Sequence, residues 1–271
     1  MTDALKYEWM RIRTIRSTWW LTTLALLFGT AITFLVSWGI SEEFKTPQNR
    51  PTTEEIDLLA PMIVGQFSGD GAPFFVPYFL AMLGVFAWGH EYRHGMIRAT
   101  LTALPSRTSA WVAKYLVVGV WVVLVTLAML LVSALVGWMW LNDDGVDFTT
   151  YDVGRVIVKS TVYSLLFTWV ATAFTSIIRQ QAAALVLMLL WPLAIENILT
   201  LILNVAPGLE GLAPLTRFFP YNAGSRMLGV RDVTGSLFGD PLSPWAGFIV
   251  FGAFAAVLMA ASIVLFQKRD A

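Results

Sequence analysis

Apolar residues dominate six stretches of the chain, at about 18–40, 73–90, 110–141, 153–178, 182–206 and 245–266. A helix rising about 1.5 Å per residue needs roughly 20 apolar residues to cross the hydrocarbon of a bilayer, so each stretch predicts a membrane-spanning helix. The first is too long for a cleavable signal peptide and no small-residue cleavage site follows it, so it is expected to stay as a signal anchor. Ahead of it, residues 3–16 carry Leu5, Trp9, Ile12 and Arg16 at three- or four-residue intervals among basic neighbours. That spacing predicts an amphipathic helix lying along the inner membrane surface. Between the fifth and sixth spans, residues 207–244 are too apolar for a plain outer loop and are broken by Pro207, Pro214 and Pro220. They read as one or two short helices dipping back towards the membrane, which exposed backbone polarity allows only where protein covers them. No repeat or low-complexity tract is visible, so residues 1–271 read as a single all-α transmembrane domain.

The polar positions orient these helices. Lys6, Arg11, Arg13 and Arg16 precede the first span, and Arg93, Arg98, Arg107 and Lys114 follow the second. Arg179, Lys268 and Arg269 fall on the same side, whereas Glu42, Glu43, Glu54, Glu55, Asp57 and Asp70, then Asp143, Asp144, Asp147 and Asp152, fall on the other. Basic loops stay in the cytoplasm, so both termini are predicted to be cytoplasmic. Trp19, Trp20 and Trp88 near inner ends, and Trp38, Trp138, Trp140 and Trp245 near outer ends, match the aromatic belts of the two interfaces. The formal net charge is zero. Sorted by this topology it becomes a cytoplasmic excess of positive charge facing an outer excess of negative charge, with Glu196 left inside the membrane.

Composition narrows the function classes. Of 271 residues, 57% are hydrophobic and 13% charged, against about 25% charged in ordinary soluble domains. A water-soluble enzyme lacks support, as does a nucleic-acid binder, since no basic excess exists to hold phosphates. With no cysteine there are no disulfides, thiolate metal sites or cysteine nucleophiles. No Walker loop and no G-x-S-x-G elbow occurs, so any ATPase must be another subunit.

The motif HEYRH, His90 to His94, satisfies the H-E-x-x-H pattern of zinc proteases. Asp143 and Asp144 would be its natural third ligand, but topology puts them a full bilayer away, about 30 Å. No other histidine exists, so an interfacial helix end is the preferred reading. In the segment EYRHGMIRATLTALPSRTSAWVAK, Gly95 permits a tight break, and Met96, Ile97, Thr100, Leu101 and Leu104 form a short apolar stripe before Pro105. That stripe fits either lipid headgroups or a groove on a cytoplasmic partner. Glu196 is costly within a span and shares an arc with Asn197, Thr200 and Asn204, which reads as a polar wall of a translocation path or as interhelical glue. Pro192, one turn earlier, predicts a kink. Ser160, Ser164, Thr168, Thr172 and Ser176 at four-residue spacing read as packing glue, and Gly252, Ala256 and Ala260 as a close-approach row.

Three segments together, EWMRIRTIRSTWW from Glu8, EYRHGMIRATLTALPSR from Glu91 with Lys114, and the Glu196 span followed by LTRFFPYNAGSRML, resemble ABC-2 type transporter permeases over nearly the whole chain. The resemblance implies six spans, an N-terminal connecting helix at 3–16, and outer re-entrant helices at about 207–232. It also implies a cytoplasmic coupling helix opened by Glu91 and Gly95, with Met96, Arg98, Leu101, Pro105 and Arg107, docking on an ATPase. Met96 stands where many members have Thr. By the same resemblance two copies pair, usually as a homodimer, with two ATPase subunits that bind ATP and Mg, while this chain carries no cofactor.

The expected function is therefore the permease of an ATP-driven exporter in a bacterial plasma membrane, moving a hydrophobic or amphipathic compound such as a drug, peptide or lipid. Two other classes stay in view. One is the zinc-dependent intramembrane protease of HEYRH; the other is an ion-coupled secondary transporter using Glu196, although no internal repeat supports it.

Overall fold

The computed structural model of the chain describes residues 1–45, 52, 75–103, 106–142, 153–228 and 242–268. Among these every regular element is helical. Several positions named above lie outside the described residues: Pro105, Leu104, Glu54, Glu55, Asp57, Asp70, Asp143, Asp144, Asp147, Asp152, Arg269 and residues 229–232.

Helix α1 spans Thr2–Thr14 and buries Ala4, Glu8 and Ile12, a stripe at four-residue spacing, against α5. Ile15 is extended, at φ −77° and ψ 123°, and turns the chain into α2, Arg16–Phe44. Helix α3 covers Phe75–Arg93, α4 Ile97–Ala103 and α5 Arg107–Leu141. The Ser106 side chain starts α5 by accepting from the Ser109 amide at 3.1 Å, satisfying one of the free N–H groups of its first turn. Helix α6, Val153–Ile178, is followed by α7, Gln181–Leu190, a π turn at Trp191–Ile195, and α8, Glu196–Val205. Where Pro192 predicts a kink the structure has a π turn, since proline cannot donate the regular i→i−4 bond. A 3₁₀ helix at Glu210–Phe218, α9 at Pro220–Leu228 and α10 at Pro244–Lys268 complete the chain.

Among the described residues five stretches are long and apolar enough to cross a membrane: Arg16–Phe44, Arg107–Leu141, Gly154–Ile178, Gln181–Val205 and Pro244–Lys268. The second expected span corresponds to the 19-residue α3, whose predicted first residues, 73 and 74, lie outside the described set. Helix α3 lies between α2 and α6 and is the common wall of two cores. One core joins α2, α3 and α5 through Leu21, Leu80, Val122 and Met129. The other joins α3, α6, α9 and α10 through Tyr163, Phe167, Tyr221 and Phe251. Gly84 makes the α3–α6 contact possible, since a Cβ there would stand 2.6 Å from the Thr168 carbonyl oxygen, an atom that cannot move aside.

The Ser/Thr row of α6 is buried on this seam. The hydroxyls of Thr168 and Thr172 donate to the carbonyls of Ser164 and Thr168, one turn back, at 2.8 Å. Their contribution is small volume at the seam; these bonds stay within one helix. Ala256 and Ala260 are exposed and a Cβ on Gly252 would meet nothing, so the close-approach row of α10 faces away from the rest of the chain. Trp19, Trp20, Trp38, Trp138 and Trp245 are exposed, as interface anchors require, but Trp88 is not one of them. It is fully buried, wedged between the α10 residue Phe266 and the α5 residue Lys114.

Candidate functional site

The amphipathic helix α1 packs against α5, and what holds it there is charge. Glu8 and Arg11 from α1, Glu91 from the last turn of α3, and Lys114 from the second turn of α5 meet in one cluster. The Lys114 ammonium donates to Glu8 Oε1 at 2.6 Å and to Glu91 Oε1 at 2.7 Å. Arg11 donates to Glu91 and, at 2.5 Å, to the Ala87 carbonyl, while its Nε stands 3.4 Å from Glu8 Oε2. Glu8, Glu91 and Lys114 are each at or below 2% exposed, and Trp88 presents its ring 4.6 Å from the ammonium. Two anions and two cations leave the cluster neutral, which is the condition for burying charge without a prohibitive desolvation cost. Lys114, read from the sequence as a loop charge, is instead a fully buried residue of α5. Glu196 is accordingly not the only charge inside the bundle.

Just past the end of α3 the chain turns. The Met96 amide bonds the Glu91 carbonyl at 2.9 Å, and Gly95 takes φ +64°, a left-handed conformation that a side chain disfavours. This turn launches α4. Ile97 and Leu101 face inward onto Trp111, Tyr115 and Phe266, and the Thr100 hydroxyl meets Tyr7 of α1 at 3.4 Å. Met96, Arg98, Ala99 and Thr102 form the outward face, flanked by exposed Arg93 and His94. Arg107 sits at the start of α5 and donates to the Gln267 carbonyl of α10 at 3.3 Å.

The residues of the HEYRH motif are divided between two environments. His90 stacks on Phe86 and lies with its ring 6.4 Å from that of His94, whereas Glu91, the would-be base, is engaged by Arg11 and Lys114. Among the described residues no group of three or more metal-ligating side chains is assembled.

At the opposite end of the bundle a second acid holds a second short helix. Glu196 is 3% exposed, and its carboxylate accepts from the backbone N–H groups of Tyr221 at 3.1 Å and Asn222 at 2.9 Å. The Trp191 indole donates to it at 3.0 Å. Tyr221 and Asn222 open α9, so Glu196 caps the free N–H groups of that helix from a distant part of the sequence, where an anion also meets the positive end of the helix dipole. Asn222 Nδ2 extends the link to Thr200 Oγ1 at 3.3 Å and to the Thr216 carbonyl at 3.4 Å. Asn197 instead points outward and donates to the Pro192 and Leu193 carbonyls at 3.2 and 3.0 Å; Asn204 donates to Thr200 O at 2.7 Å. The arc predicted from the sequence is therefore split. Glu196 and Thr200 face α9, and Asn197 and Asn204 satisfy carbonyls of their own helix.

The structure thus places Glu91 and the helix that follows Gly95, with Met96, Arg98 and Leu101, beside α1, whereas Arg107 lies against the end of α10. Sequence reasoning missed Glu8, Arg11 and Lys114 as a unit. A signal existed for two of them: Glu8 interrupts the apolar stripe of α1, and Lys114 is a lone charge within the apolar run 110–141.

A family model described as ABC-2 family transporter protein matches residues 4–271. No curated protein matches the chain.

Proposed function

The chain belongs to the ABC-2 transporter family and is a membrane permease, and on that premise we propose that it is the translocation subunit of an ATP-driven exporter. In this reading α2, α3, α5, α6, α7 with α8, and α10 are six spans, with both termini in the cytoplasm of a bacterial cell. Two copies enclose the path, lined by α2, α3 and α7–α8, and two separate ATPase subunits bind ATP and Mg. The exposed apolar faces of α7–α8, including Val186, Ile198 and Leu201, fit a lipid or second-copy environment. The weakly charged spans favour a hydrophobic or amphipathic cargo.

The observation that carries the reading is the tie between α1, α3 and α5 directly ahead of α4. An ATPase that moves the outward face of α4, with Met96 and Arg98, pulls on a turn whose other side is fixed to three helices by buried ion pairs. A local push therefore becomes a rigid-body movement of the bundle rather than local bending. Glu91 and Gly95 serve this link as anchor and turn. At the far end, Glu196 with Thr200 holds α9 over the outer mouth of the path, while Asn197 and Asn204 present their sides of α8 to it.

The test is co-purification of the permease with an ATPase subunit, followed by ATP hydrolysis and dye efflux in reconstituted vesicles. Gly95→Ala and Arg98→Ala are expected to leave the chain folded but to separate hydrolysis from efflux. Hydrolysis and efflux that stay coupled in both variants would overturn the docking role of α4.

A further inference from the structure

Among the described residues one non-glycine residue adopts a positive φ: Arg179, at 59°. It ends α6 in the two-residue turn before α7, and its amide bonds the Thr175 carbonyl at 2.9 Å, closing the helix in the left-handed manner usually left to glycine or asparagine. An arginine is disfavoured there by its backbone, and it brings a side-chain contact that glycine could not make. The guanidinium carbon stands 5.9 Å from the centre of the Tyr92 ring. Tyr92 is stacked on Trp88, with centroids 6.0 Å apart and planes at 22°, and Trp88 in turn carries the Lys114 ammonium at 4.6 Å. Four side chains thus follow in the order cation, ring, ring and cation, from the buried charge cluster on α5, through the end of α3, to the turn between α6 and α7. Both cations lie where the ring quadrupole attracts them. Gln181, the first residue of α7, packs against Gly89 of α3, where a Cβ would come within 2.7 Å of its side chain.

We propose that Arg179 is a positioning residue that carries movement of the docking segment into α7 and α8. Tyr92 stands three residues before Gly95, so a displacement of α4 reaches it first. The cation–ring contact then draws the α6–α7 turn with α3, and α7 leads through the π turn to Glu196. This inference rests on the exporter reading above.

The test uses the full permease with its ATPase in vesicles. Because the chain has no cysteine, Leu201→Cys on the exposed face of α8 accepts a single spin label, and the readout is its spectral change on adding ATP with vanadate. Arg179→Gly is expected to keep or raise the melting temperature, since glycine accepts this backbone, and to keep hydrolysing ATP. Its spectral change at α8 is expected to fall about three- to fivefold. Tyr92→Leu should fall likewise, whereas Tyr92→Phe, which keeps the ring, should respond as the unaltered chain does. A full response in Arg179→Gly overturns the inference and makes Arg179 a helix terminus only. If that variant fails to fold, equal responses of Tyr92→Leu and Tyr92→Phe overturn it instead. An unaltered complex that neither hydrolyses ATP nor shows a spectral change defeats the exporter reading itself, a result distinguishable from failure at Arg179.

Discussion

Two short helices enter this bundle from its ends, and each is held by buried glutamate, but by different physics. At the α1 end, Glu8 and Glu91 are neutralised by Lys114 and Arg11, so full charges compensate full charges. At the α9 end, Glu196 meets backbone N–H groups and an indole, so dipoles compensate one charge. A cluster of paired ions ties together the three helices that supply its members, α1, α3 and α5. A carboxylate at a helix N-terminus fixes the position of one helix end and leaves the rest of that helix to be placed by packing, here against Gly247, Tyr163 and Phe251. The first arrangement resists relative movement of three helices, and the second fixes a single point of contact.

The difference can be broken most severely at Lys114. Lys114→Met leaves Glu8 and Glu91 buried with one cation between them, and stability is expected to fall by about 3–5 kcal/mol, read as thermal unfolding in detergent. Adding Glu8→Gln to that variant should restore part of the loss, because the excess negative charge is removed; no recovery would mean that the cluster is not electrostatically coupled. Glu196→Ala should cost about 2–3 kcal/mol, the scale of charged hydrogen bonds lost to buried donors, and Glu196→Gln clearly less, since one carbonyl oxygen still faces α9. Efflux unchanged in Glu196→Ala would remove this residue from transport and leave it a purely structural cap. Gly95→Ala forces a side chain into a left-handed turn and should cost about 1 kcal/mol while lowering efflux per ATP hydrolysed. Smallest in stability is Arg98→Ala, within about 0.5 kcal/mol, with its effect read instead as ATP hydrolysis that proceeds without matching efflux.

Much of this architecture was readable from the chain because membrane crossing demands long apolar runs, and amphipathic spacing demands a stripe. Residues 3–16 predicted α1, although it ends at Thr14 and Arg16 opens α2; the break at Gly95 predicted the turn before α4, and the prolines of 207–244 predicted short helices. The assignment of individual polar residues fared differently. Lys114 counted as a loop charge and Trp88 as an interface anchor, since a positive charge and an indole near a helix end have those roles on average. Neither average knows that Trp88, Lys114 and Glu8 converge, for they come from three helices far apart in the sequence.

Sequence alone therefore determined what each segment is: apolar enough to be a span, striped enough to lie against one, or broken enough to turn. These are properties of neighbours along one helix, governed by hydropathy, periodicity and backbone freedom. Tertiary structure alone decided which acid meets which partner. Glu196 and Asn197 are adjacent in the chain, yet one caps α9 and the other faces outward. The reason is that a charge in an apolar surround is stable only where donors from other segments reach it, and their convergence is set by how the helices pack.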